Sequence, residues 1–265
     1  MDLFIIRHGQ SANNALGNIK DRQVDPPLTD LGVQQAKELA RFLMDGDIPE
    51  LTDPSAANNK IKMRHGFGIT SLYVSPMYRT LQTVQPVAES LGLDPMVWVD
   101  LHEEGGMYLN HGASTGLIGY PGLTRQEIAA EFRSYKLPEN VTDEGWWNKP
   151  HEGMASFICR AKRVSESLRS MALEKDNVAL ITHGAFIDML LKALLGQTSS
   201  RQLRFRHHNT GITRVHLRDD GALEFLSLNQ VAHLATDLVW IYRRQLPQIF
   251  SPNIDHEIMQ VASNY

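Results

Sequence analysis

The chain has one cysteine in 265 residues, Cys159, which excludes an intrachain disulfide and any multi-cysteine zinc site. Its neighbours Phe157, Ile158 and Ala161 predict a packed helical thiol, not a nucleophile. There is no run of lysine and arginine, and the formal net charge of -4 offers nucleic acid no general attraction. Any bound anion must therefore be held by a local group of cations. Long apolar runs are missing too. The most apolar segment, Phe186 to Leu195, carries Asp188 and Lys192 and is too short for a bilayer, so no membrane partner is expected. No basic region followed by a long apolar stretch stands at the N-terminus, and the expected location is the cytoplasm. Composition is 42% hydrophobic and 21% charged, which excludes a disordered or fibrous class. A chain of this length can bury its core as a single domain over residues 1–265, with room for an insertion.

What is present is an alternation of strand and helix patterns. Leu3 to Ile6, Ser71 to Val74 and Val178 to Ile181 read as buried strands, with Met96 to Val99 as a weaker fourth. Helical patterns cover Asp30 to Met44, Pro76 to Leu91, His151 to Leu173 and Ala185 to Leu195. This rhythm predicts an α/β fold, a three-layer α/β/α sandwich with a mainly parallel sheet. Ile212 to Leu217 and Leu223 to Leu228 read as a hairpin that adds an antiparallel edge strand. Two segments break the rhythm. Residues 45–68 hold Pro49, Pro54, Asn58 and Asn59 and read as a surface excursion. Residues 103–150 begin with a glycine-rich loop, contain a helical stretch from Thr124 to Tyr135, and read as a cap.

Chemistry collects where the strands end, which is where open α/β sheets place their ligands. The first strand runs into Arg7-His8-Gly9-Gln10-Ser11, and the third into Thr182-His183-Gly184, so two histidines occupy equivalent positions. Between them in sequence, Ser75-Pro76-Met77-Tyr78-Arg79 sets an arginine in the first turn of a helix, where backbone N–H groups and the helix dipole already favour anions. A carboxylate pair, Glu103-Glu104, follows the weaker strand. Leu28-Thr29-Asp30-Leu31-Gly32 reads as a helix start with Thr29 or Asp30 as its cap. His207-His208 lacks a third ligand or a regular spacing, so no metal site is expected there.

Taken together, these motifs resemble the histidine phosphatase superfamily, in its phosphoglycerate mutase-like branch. The residues that carry the resemblance are Arg-His-Gly-Gln-Ser-x-x-Asn at 7–14, Leu-Thr-Asp-Leu-Gly at 28–32, Ser-Pro-x-x-Arg-x-x-Gln-Thr at 75–83, Leu-x-Glu at 101–103 and His-Gly at 183–184, in that order. Asn209-Thr210 is a weaker echo. The resemblance implies that His8 attacks phosphorus and becomes a phosphohistidine. It implies that Arg7, Arg79 and His183 hold the phosphoryl oxygens, with Asn14 and the Gly184 N–H adding hydrogen bonds, and with Gln10 in contact. Glu103 would protonate the leaving group, with Glu104 as the alternative donor. No metal and no cofactor is implied, because the cationic pocket supplies what magnesium supplies elsewhere.

The implied partner is a small-molecule phosphate ester; whether the chain is a monomer or a homodimer stays open. Mutases of this branch carry arginine, histidine and tyrosine directly after the catalytic glutamate. This chain has Glu104-Gly105-Gly106-Met107-Tyr108 instead, which turns the expectation toward a metal-independent phosphomonoester hydrolase. A phosphoglycerate-type mutase is the alternative, and a catalytically silent phospho-ligand binding module the third reading. The 103–150 insertion, with Tyr108, Tyr120, Phe132, Trp146 and Trp147, is expected to choose the substrate or to anchor itself to the core through its tryptophans.

Overall fold

The computed structural model describes residues 1–50, 62–174, 177–197 and 202–239. Its centre is a six-stranded sheet in the order β10-β9-β1-β8-β4-β5, built from β1 (Asp2–Arg7), β4 (Ser71–Val74), β5 (Met96–Val97), β8 (Val178–Thr182), β9 (Ile212–Leu217) and β10 (Leu223–Gln230). Strands β1, β8, β4 and β5 run parallel. The β9–β10 hairpin joins antiparallel at the β1 side, as its turn-linked sequence predicts.

Side chains of a strand alternate between faces, and here both faces are covered, so Leu3–Ile6 of β1 and Val178–Ile181 of β8 are unbroken apolar runs. Phe4, Ile6, Ala179 and Ile181 enter one core with Leu39 and Leu43 of α2 (Asp30–Asp45) and Leu81 and Val84 of α3 (Tyr78–Leu91). Leu3, Ile5, Val178 and Leu180 enter the other, with Val164 and Leu168 of α5 (Met154–Met171) and Leu190 and Leu191 of α6 (Gly184–Leu194). These are the three layers. No helix among the described residues is long and apolar enough to cross a membrane.

Local chemistry fixes the helix starts. Thr29 caps α2 by accepting the Gly32 N–H at 3.1 Å. Helix α3 begins at Tyr78, two residues later than the proline suggests, because Asp25 takes up the Tyr78 N–H and Met77 occupies the cap position. Helix α5 begins at Met154, not His151: Glu152 is drawn out of line by Arg160, and Gly153 is the extended cap. The weak fourth strand is only Met96–Val97; Val99–Leu101 is a 3-10 turn. Cys159 departs from expectation. The buried stripe of α5 runs through Phe157, Arg160, Ala161, Val164 and Leu168, which leaves position 159 on the outer face, and the thiol is exposed.

The excursion at 45–68 is anchored more firmly than its composition indicates. Its described ends pair as β2 (Asp47–Pro49) and β3 (Met63–His65), with Ile48 and Phe67 buried and Phe67 packed 5.3 Å from Phe4 between ring centroids. Residues 51–61, with Pro54, Asn58 and Asn59, lie outside the described residues. Segment 103–150 contains a short hairpin, β6 (Tyr108–Asn110) with β7 (Leu117–Gly119), and α4 (Arg125–Glu131). The helix expected over Thr124 to Tyr135 stops at Glu131, with Phe132 as its C-cap. Trp146 and Trp147 are buried in the same core as the sheet and pack on His102, with ring centroids 5.7 and 4.7 Å away. The tryptophans are anchors of the segment.

Candidate active site

Neighbouring parallel strands with Arg7 opposite Thr182 deliver the next residue of each, His8 and His183, side by side. Their rings lie 5.2 Å apart between centroids, and both are buried. Strand β4, paired with β8 through Val74 and Ile181, ends one position away, and the first turn of α3 swings Arg79 back over the two rings. The Arg79 guanidinium bridges them, with Nε 3.3 Å from His8 Nε2 and Nη2 3.1 Å from His183 Nδ1.

This bridge selects the tautomers. A carbonyl only accepts and a guanidinium only donates. His8 Nδ1 lies 2.6 Å from the Gly9 carbonyl and so carries the proton, leaving a lone pair on Nε2 toward Arg79. His183 accepts from Arg79 at Nδ1 and donates from Nε2 to Ser75 Oγ at 2.7 Å. Burial first, then the Arg79 and Arg7 guanidinium groups, hold His8 well below the usual imidazole range. His183 is held down in the same way by burial, Arg79 and His8. Both rings are neutral at physiological pH, and His8 presents an unprotonated nitrogen to the pocket.

Arg7 joins the cluster from the end of β1. Its Nη1 donates to the His207 carbonyl at 2.7 Å, and its side chain runs against Gly184 at the start of α6. Asn14, on the short helix α1 (Ala12–Ala15), accepts at Oδ1 from the Ser11 N–H and from Asn209 Nδ2, at 3.3 and 3.2 Å. What Asn14 has left to offer an anion is its amide N–H2. Glu103 sits over the N-terminus of α6, where Oε1 accepts from Phe186 N at 3.0 Å and from Glu104 N at 3.1 Å. The Glu104 carboxyl is pushed up to about 7, by burial above all and then by the charge of Glu103. Gln10, the remaining expected site residue, is held at its oxygen end. Its Oε1 accepts from Thr29 Oγ1 at 2.7 Å and its backbone N–H donates to Gln35 Oε1 at 2.8 Å, so it braces the start of α2.

Several supporting residues have no role that the motifs assign, although Ser75 and Asn209 stand inside them. Ser75 fixes the far nitrogen of His183. Asn209 reaches the His8 carbonyl at 3.0 Å as well as Asn14. Asp25, 3.5 Å from Arg79 Nη1, reads in the sequence only as a turn residue before two prolines. Arg160 is buried and holds the Glu103 segment: Nη1 donates to the Asp100 and His102 carbonyls at 2.7 and 2.8 Å. Its Nε and Nη2 clasp the Glu152 carboxylate at 2.9 and 2.6 Å, and the guanidinium lies 4.7 Å from the Phe186 ring. An amphipathic reading of α5 cannot distinguish such an arginine from a surface one. Arg160→Ala strands the buried Glu152 charge and two carbonyls, so chemical denaturation should show a loss of about 3–5 kcal/mol. A loss below about 1 kcal/mol would mean that the clasp is incidental.

The model of the histidine phosphatase superfamily (branch 1) matches residues 3–52 and 55–230. The protein named "Probable phosphoglycerate mutase GpmB" of Proteus mirabilis is 26% identical over 225 residues, which covers 81% of this chain and 84% of that protein. Among solved structures, the phosphoserine phosphatase of Entamoeba histolytica in complex with 3-phosphoglyceric acid superposes with a TM-score of 0.53 at 22% identity, covering 88% of this chain and 99% of that one. A mycobacterial glucosyl-3-phosphoglycerate phosphatase in complex with VO3 gives 0.52 at 18% identity, covering 87% and 99%. At these identities the two structures establish the shared fold.

Proposed function

Because the chain belongs to the histidine phosphatase superfamily (branch 1), we propose that it is a metal-independent phosphomonoester hydrolase working through a phosphohistidine on a small organic phosphate. The observation that carries this reading is the Arg79 guanidinium set across two buried, neutral histidines at the ends of adjacent parallel strands. The lone pair of His8 Nε2 attacks phosphorus, and the bond to the ester oxygen breaks on the opposite side. Arg7 and Arg79 hold the equatorial oxygens, with the Asn14 amide and the Gly184 N–H beside them; His183 joins them when the phosphate draws Arg79 off its Nδ1 and that nitrogen takes up a proton. Glu103, once it has taken up a proton as the anionic ester binds, gives it to the departing alkoxide, then takes one from the water that attacks the phosphohistidine. Phosphate leaves and His8 regains its lone pair.

Hydrolysis is favoured over mutase chemistry by the turn after Glu103. A mutase needs cations there to seat a second anionic group. Gly106 has φ +73°, and any side chain on it would run into the Trp147 ring, while Gly105 is roofed by Tyr108 and His151. The turn is packed too tightly for side chains at the histidine and tyrosine positions, and the arginine position holds the acidic Glu104.

The test is phosphate release with EDTA present, across a panel of phosphate monoesters that includes phosphoserine and phosphorylated glycerates, together with a primed assay for interconversion of 2- and 3-phosphoglycerate. Release from the panel without interconversion is expected. Glu103→Gln should lower kcat for alkyl esters by about 10²–10³-fold and spare aryl esters, whose leaving groups need no proton. Glu104→Gln should stay within about threefold. A leaving-group-dependent loss in Glu104→Gln alone would transfer the proton-donor role to Glu104, and interconversion without release would replace hydrolase by mutase.

A further inference from the structure

Asp25 lies in the loop before α2, outside the motifs that carry the resemblance. Its two carboxylate oxygens accept the Tyr78 N–H at 3.0 and 3.1 Å, and Oδ1 is 3.5 Å from Arg79 Nη1. The two side chains are 13% and 10% exposed. Arg79 is thus held on three sides, by His8 at Nε, by His183 at Nη2 and by Asp25 at Nη1. Of these three partners only Asp25 carries a negative charge. Capping a helix requires one acceptor, and an uncharged Asn or Ser supplies it equally well. Burying a carboxylate is costly unless its charge has work to do.

We propose that Asp25 is a positioning residue and counter-anion for Arg79: its carboxylate orients the guanidinium across the two histidines, and its charge weakens the grip of that guanidinium on phosphate. The inference rests on the phosphoryl-transfer reading of the site. Phosphoryl oxygens and the Asp25 carboxylate are both anionic acceptors for one guanidinium, so each must raise the cost of holding the other. An anion at Arg79 therefore favours the protonated form of Asp25.

Burial pushes the Asp25 carboxyl up to about 6, against the pull of Arg79 and the Tyr78 N–H. It is ionised at pH 8 and protonated well below pH 6, where its counter-charge disappears. The groups around it are Arg79 and Tyr78 of α3, with the Tyr78 hydroxyl donating to Glu131 of α4 at 2.7 Å. Beyond Arg79 stand His8, His183 and Glu103, with Arg22 acting on Arg79 from the loop that carries Asp25. Both histidines are held well below the usual imidazole range, away from the titration of Asp25.

The experiment compares the full chain with Asp25→Asn and Asp25→Ser, two uncharged caps, by calorimetric binding of inorganic phosphate at pH 8 and pH 5, with thermal unfolding alongside. At pH 8 the variants should bind phosphate on the order of tenfold tighter than the original. At pH 5 the difference should close, since Asp25 is then neutral too. The ionisation of phosphate itself cancels in the ratio. Unchanged or weaker phosphate binding in a folded variant at pH 8, or a tightening that persists at pH 5, overturns the proposal and leaves Asp25 as a helix cap. Binding is read independently of turnover: a chain that releases no phosphate from any ester refutes the hydrolase, and the binding ratio still decides the role of Asp25.

Discussion

His8→Ala should abolish metal-free phosphate release, with a fall in kcat of about 10⁵-fold or more. The size of the effect follows from the absence of a substitute. His183 is the other imidazole in reach, but its Nδ1 is turned to Arg79 and its Nε2 to Ser75. Water entering the space left by the ring would meet the same cationic cradle, yet without a covalent intermediate both displacements collapse into one harder step. The fold should survive. The backbone at positions 8 and 9 keeps its partners, because the His8 N–H to Thr182 carbonyl bond of 2.9 Å and the Gly9 N–H to Thr83 Oγ1 bond of 3.0 Å do not involve the imidazole. Thermal unfolding separates loss of chemistry from loss of structure, and rapid acid quench should trap a phosphoenzyme in the original protein only. Retention of more than about 1% of the activity by purified, folded His8→Ala would refute the nucleophile and the mechanism with it.

The parts of the site legible in the sequence are those set by strand ends. A run such as Leu3 to Ile6 announces a buried strand, the residue after it must emerge at the carboxyl edge, and parallel pairing with Val178 to Thr182 then forces His8 and His183 together. Arg79 was legible for a related reason, since the first turn of a helix that follows a strand faces the same edge. What could not be read were contacts decided by tertiary packing. Nothing in Gln10 itself says that its side-chain oxygen would be held by Thr29. Cys159 has apolar neighbours, but one step of 100° along α5 carries it to solvent. Asp25 and Arg160 look like surface charges in one dimension. Their burial depends on Arg79 and Glu152, partners far away along the chain or hidden by an irregular helix start.

Arg79→Ala is the second large loss, expected at about 10³–10⁴-fold in kcat/KM. Arg79 meets both histidines and, in the mechanism above, the equatorial phosphoryl oxygens, so its removal strips charge stabilisation from each displacement. Arg79→Lys should recover little of it, because one ammonium cannot span two rings 5.2 Å apart while also facing Asp25. The pH profile carries an independent signature. His8 must be neutral to attack, and after burial the nearest cause of its depressed pKa is the charge of Arg79. Without that charge the imidazole pKa rises toward its ordinary value, and an uncompensated Asp25 carboxylate adds to the rise. The residual activity of Arg79→Ala should therefore fall away with acid at a higher pH than the original enzyme does. A variant that loses rate but keeps the original acid limb would show that Arg79 holds substrate without tuning the nucleophile, and a loss smaller than tenfold would remove it from the transfer step altogether.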